Sequence, residues 1–203
     1  DSYSSGRELQ RIEKGVHTSK ECQVLASFLQ LALTNDAALN DFAQKFERKT
    51  FNINERLRVG IIYDSQLSPV RRKNETTFRN NLVLSLSVLK KQGCNMIIFA
   101  GDIGNMASGF AYDTYKAAFK SVFGEKIPII QSIMGNHDYY GLRTSENCRR
   151  LFTKKIGSSP FTHYTVNGFH FIGVSPDCEK MSDGYRKILP YLKVEIELAK
   201  KEC

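Results

Sequence analysis

Met96-Ile97-Ile98-Phe99-Ala100-Gly101-Asp102-Ile103-Gly104-Asn105 is the stretch on which the reading of this chain turns. Its opening run of five apolar residues is too short for a helix and suits a strand buried on both faces. The glycines that follow end that strand in a polar loop led by one carboxylate. Upstream, Phe78, Leu82, Leu86 and Leu89 recur at helical spacing and predict a helix over about residues 76–91. Before it, Val59-Gly60-Ile61-Ile62-Tyr63 is another short apolar run, read as a buried strand. Downstream, a helix over about residues 111–123 leads into a third run, Ile127 to Met134. Strands joined through helices return in the same direction, so the sheet is expected to be parallel at its core, a βαβαβ unit.

Phe161 to Val166 and Phe169 to Val174 flank Asn167-Gly168, a dipeptide that readily adopts the two left-handed conformations of a tight hairpin turn. They predict an antiparallel hairpin that joins the sheet. Pro190 suits the first position of a helix, and the last helix is expected from Tyr191 to Lys201.

Residues 1–57 have a different texture. Leu25, Phe28, Leu29, Ala32 and Leu33, then Leu39, Phe42, Ala43 and Phe46, fall at three- and four-residue spacing and predict two amphipathic helices broken at Asn35-Asp36. No chemistry-bearing motif lies there. The expected organisation is a helical N-terminal extension over 1–57, packing on the domain or on a protein partner, and an α/β domain over 58–203.

A formal charge of +8, concentrated after residue 59, favours anionic partners such as phosphate esters. The cluster Arg71-Arg72-Lys73 lacks interleaved aromatic residues, so it is read as a solvated loop and not as a nucleic-acid patch. No apolar run reaches the length of a membrane span. Cys22, Cys94, Cys148, Cys178 and Cys203 are scattered and odd in number, which argues against a disulfide framework and leans toward an intracellular, reducing setting.

Each of the three core strands runs into a polar loop: Asp64-Ser65-Gln66, Gly101-Asp102-Ile103-Gly104-Asn105, and Gly135-Asn136-His137-Asp138. The C-terminal edge of an open α/β sheet is where ligand crevices form, so these loops are expected to converge. Tyr139 and Tyr140, next in the chain, are read as packing or loop-anchoring residues.

The order Asp-x-Gln, Gly-Asp-x-x-Asn, Gly-Asn-His-Asp at successive strand ends resembles the calcineurin-like metallophosphoesterases, over roughly residues 58–203. The fold this implies is part of that family's sheet sandwich. The resemblance further implies two divalent metal ions, Mn, Fe, Zn or Mg, with Asp64, Gln66, Asp102 and Asn136 as ligands. A metal-bridged hydroxide would then attack the phosphorus of a phosphorylated substrate, a mono- or diester. His137 is expected to face the substrate, and Asp138 to hold the other ring N–H of His137. Gln66 stands where the family commonly has histidine, and an amide oxygen is the weaker donor; Asn105 replaces a second acidic residue. The family's later histidine motifs do not occur, so the chain is read as ending before the domain is complete. His163 and His170, in the hairpin, are read as structural. The alternative reading is a catalytically silent scaffold of the same fold. A dinucleotide-binding domain is excluded, because no G-x-G-x-x-G follows the first strand.

Overall fold

A computed structural model describes residues 46–71, 76–176 and 181–202. The chain divides into two units, Asp1–Gln44 and Lys45–Cys203, and the described residues belong to the second. The two predicted helices as far as Ala43, together with Arg72, Lys73, Cys22, Cys178 and Cys203, lie outside the described residues, while Phe46, the last residue read into them, is described and is not helical. In chain order the elements are β1 (Glu47–Phe51), β2 (Val59–Ile62), α1 (Thr76–Lys91), β3 (Met96–Ala100), α2 (Gly109–Phe123) and β4 (Ile129–Ile133). A 3-10 turn (His137–Tyr139), α3 (Ser145–Ile156), β5 (Phe161–Val166), β6 (Phe169–Val174) and α4 (Met181–Glu202) follow.

Strands β2, β3 and β4 form a parallel sheet in that order, with Val59 opposite Met96 and Met96 opposite Ile129. The βαβαβ expectation therefore holds. Helices α1 and α2 bury Leu82, Leu86, Tyr112, Tyr115 and Phe119 in one cluster with Ile97 and Phe99 of β3. Gly60 sets how closely α1 sits on β2, because a Cβ there would meet Leu89 Cδ1 at 2.6 Å. Ser108 caps α2 by accepting from the Phe110 N–H, and Gly124 ends it at φ 64°. The expectation that Val59 to Tyr63 is buried does not hold. Strand β2 is an edge of the sheet, and Ile61 and Tyr63 are 62% and 70% exposed.

The hairpin does not join the parallel sheet. Strands β5 and β6 pair antiparallel, and β1 pairs parallel to β5, making a second three-stranded sheet in the order β1-β5-β6. Burial explains the separation. Tyr164 and Val166 face Met96 in one apolar layer that also takes in Phe51, Ile98, Ile129 and Phe171. These residues cover the parallel sheet face to face and add nothing to its edge. Gln131 of β4 crosses the layer, donating from Nε2 to Thr162 Oγ1 at 2.9 Å and to Phe171 O at 2.8 Å.

Strand β1 falls within the stretch read as extension. Its sequence, Glu47-Arg48-Lys49-Thr50-Phe51, has charge where an apolar alternation would signal a strand, and it lies at a sheet edge, where charged residues are common. Helix α3 also carried no prediction. It is highly charged, but Cys148 and Phe152, one turn apart, are both buried, Thr144 caps its start and Gly157, at φ 88°, ends it. Helix α4 begins at Met181, so Pro190 lies inside the helix and not at its first position. Ile188 and Val194 are buried on either side of Pro190, and Tyr191 packs with Ile188 on the sheet. This packing offsets the ~3 kcal/mol that an internal proline costs. No helix among the described residues is long and apolar enough to cross a membrane.

Candidate functional site

The loop after β2 runs alongside the loop after β3. The Asp64 N–H donates to Gly101 O at 3.1 Å, Gln66 to Asp102 O at 3.1 Å and Leu67 to Ile103 O at 2.9 Å, while Asn105 donates back to Leu67 O at 2.9 Å. Leu67 and Ile103 point into the core, at 1% and 0% exposure, and anchor both loops from below. Between these bonds the backbone takes left-handed values at Asp64 (φ 60°), Gln66 (φ 48°) and Asp102 (φ 53°). A left-handed residue that is not glycine costs roughly 1 kcal/mol or more, so three of them persist only because the surrounding bonds hold them.

The loop after β4 is tied to the same place. The His137 N–H donates to Asp102 Oδ1 at 2.9 Å. Gly135 leaves room for that carboxylate, because a Cβ on Gly135 would lie 2.1 Å from Asp102 Oδ1. Asp64, Gln66, Asp102, Asn136 and His137 are thus on three loops that the structure brings together, as the strand order predicts.

Asp138 has a different position from the one expected. Its carboxylate does not meet the His137 ring. Oδ2 accepts from the N–H groups of Ile103 at 3.2 Å and Gly135 at 3.0 Å, and Oδ1 accepts from Gly104 N–H at 3.1 Å and Tyr112 OH at 3.2 Å. It is fully buried, and burial pushes its carboxyl up to about 6 against the pull of the three backbone N–H groups. Burial and the adjacent Asp138 also raise the Tyr112 hydroxyl. Asp138 is therefore the post that holds the second and third loops together, a role invisible to a reading that paired it with its chain neighbour. Nδ1 of His137 faces Asn105 O at 3.3 Å, and its ring lies 4.5 Å from that of Tyr140. Tyr139 is buried in the core, and Tyr140 anchors the loop by accepting from Asn136 Nδ2 at 2.8 Å.

As possible cation ligands, Asp64, Gln66, Asp102 and Asn136 offer only oxygen, the donor chemistry of a hard divalent ion. Asn136 spends its amide nitrogen on Tyr140, which leaves Oδ1 as the coordinating atom. Gln66 likewise directs Nε2 to Asp64 Oδ1 at 2.6 Å, which leaves Oε1 as its coordinating atom. Among the described residues, no three of His, Cys, Asp or Glu gather in a group that could hold a metal ion. His163 and His170 are on the second sheet, where they bond to each other and His163 also bonds to Glu195. Neither Cys94 nor Cys148 is in a disulfide, and the buried Cys148 thiol donates to Tyr139 O at 3.7 Å. No protein-family model and no curated protein matches the chain.

Proposed function

We propose that the chain is a metal-dependent phosphoesterase of the calcineurin-like kind, hydrolysing a phosphate mono- or diester, with the two facing sheets as part of that family's sandwich. The observation that carries this reading is the strained set at neighbouring strand tips: Asp64, Gln66 and Asp102, all left-handed, beside a glycine that leaves space for the Asp102 carboxylate. Strain of this kind gathers where side chains must be aimed.

Asp64, Gln66, Asp102 and Asn136 would hold the metal. When bound, divalent cations supply an activated water and neutralise charge on the phosphoryl oxygens. The chain's own contribution is placement. The Asp102 carboxylate is fixed by the His137 N–H, and the His137 ring is held between Asn105 O and Tyr140. A carbonyl opposite Nδ1 leaves Nε2 as the ring atom to meet a substrate oxygen. Asp138 positions the loops and does not touch the substrate.

The second reading, a silent scaffold, draws on the Gln66–Asp64 hydrogen bond, which satisfies Asp64 without a cation. Elemental analysis of the purified protein, paired with hydrolysis of an aryl phosphate with and without manganese, separates the two. Bound divalent metal with manganese-dependent turnover, lost by 100-fold or more in His137→Ala and spared in Asn105→Ala, supports the enzyme. Asn105 holds the ring through its main-chain oxygen, so truncating its side chain leaves that contact in place. Neither metal nor turnover would leave the scaffold.

A further inference from the structure

The outer face of the β1-β5-β6 sheet, beneath α4, carries a second cluster of chemistry-bearing side chains. Phe161, Ile172 and Val174 cover one end of that face with Ile188 and Tyr191. The other end is polar. Glu195 of α4 is 1% exposed and is paired with Arg48 of β1 and with His163 Nδ1 of β5 at 2.8 Å. His163 Nε2 in turn lies 2.8 Å from His170 Nδ1 of β6, and Thr165 Oγ1 lies 3.2 Å from that same nitrogen. The register explains the meeting, since Thr165 is opposite His170 and His163 is the next residue on the same face of β5.

We infer that His163 Nε2 and His170 Nδ1, with Thr165 Oγ1 beside them, form a binding site for a single borderline divalent cation such as zinc. Opposite a buried carboxylate, His163 Nδ1 carries the ring proton, so Nε2 presents a lone pair. A carboxylate behind a histidine ligand is the usual device that fixes its tautomer and raises its donor strength, and Arg48 holds that carboxylate in place. Without a cation, His170 Nδ1–H donates to His163 Nε2. Coordination moves the His170 proton to its other ring nitrogen and leaves the charge of both rings unchanged. Two zinc–nitrogen bonds of ~2.0–2.1 Å in tetrahedral geometry put the nitrogens about 3.3 Å apart. The rings therefore open by about half an ångström from the observed 2.8 Å, within the reach of small side-chain rotations. His170 is half-buried, so a cation has a route in, while His163 is 4% exposed and supplies the rigid half. Imidazole nitrogen selects zinc, nickel or copper over the magnesium or calcium that an all-oxygen set takes, which separates this site from the one at the strand tips.

The test is a zinc titration of the full chain followed through the histidine ring signals by NMR. His163 and His170 are expected to shift together, saturating at one equivalent, and His170→Ala at its half-buried position should weaken the His163 response at least tenfold. Glu195→Gln should weaken it by about 10- to 100-fold while both rings still respond. Asp102→Asn should change neither signal, so failure of the proposed phosphoesterase leaves this result standing. The site is refuted if the rings do not respond below about millimolar zinc, or if the His163 response survives His170→Ala unchanged. Should Glu195→Gln unfold, the His170→Ala arm decides alone.

Discussion

Asp102 takes its hydrogen bond from the backbone N–H of His137, at 2.9 Å, across a glycine that leaves room for nothing larger than a hydrogen. The tip of β4 is therefore registered on the tip of β3 by a side chain that also belongs to the candidate site. Structure and chemistry share the same carboxylate, so substitutions here report on both.

Gly135→Ala is the sharpest probe of that sharing. Its Cβ would fall 2.1 Å from Asp102 Oδ1 and 2.6 Å from the Asp102 N, and neither can retreat without breaking the loop. We expect a loss of about 1–3 kcal/mol in urea unfolding, the usual cost of overpacking. On the proposed metal-binding reading, calorimetric manganese binding should also weaken at least tenfold in protein that remains folded. Unchanged stability and unchanged binding would mean that the two loops are not in contact.

Asp138 predicts a pH dependence. In the folded chain it holds its proton up to about 6, against the ordinary carboxyl value of 3.8, because burial outweighs the N–H groups directed at it. Between those values the folded state binds more protons than the unfolded one. The stability this group confers is therefore full below about 3.8 and is lost as pH rises through 6. Wild type should gain of order 2 kcal/mol over Asp138→Asn between pH 6.5 and pH 4, read by urea unfolding in the presence of a chelator. A difference that stays flat over this range would contradict the assignment.

These two residues also mark how far the sequence could be read. Strands β3, β5 and β6 and helix α1 follow from apolar periodicity and the Asn167-Gly168 turn, although Phe78 at the head of the helical stripe and Phe169 beside the turn are exposed. Convergence of the loops bearing Asp64, Asp102 and Asn136 followed from strand order alone. Strand β1 and helix α3 were not legible, since a charged edge strand and a helix with few buried positions carry little periodic signal. Pro190 misled because its local preference was overruled by tertiary packing on both sides of it. The partner of Asp138 was misread for a related reason. Adjacency in the chain suggested His137, while three of its four donors, Ile103, Gly104 and Tyr112, belong to distant segments.

Gln66 decides between the two functional readings. It donates from Nε2 to Asp64 Oδ1 at 2.6 Å in an exposed pair, and both residues are held left-handed in the backbone. Changing it to Glu replaces a hydrogen bond with two facing carboxylates, and metal-free stability should fall by roughly 0.5–1.5 kcal/mol. If these tips hold a cation, the new carboxylate is a stronger ligand than the amide, and manganese should restore more than the lost stability. Its thermal shift in Gln66→Glu should then exceed that in wild type by several degrees. A scaffold gives the opposite pattern, the same loss with no recovery on adding manganese or magnesium. The comparison needs no substrate, so it tests the metal directly.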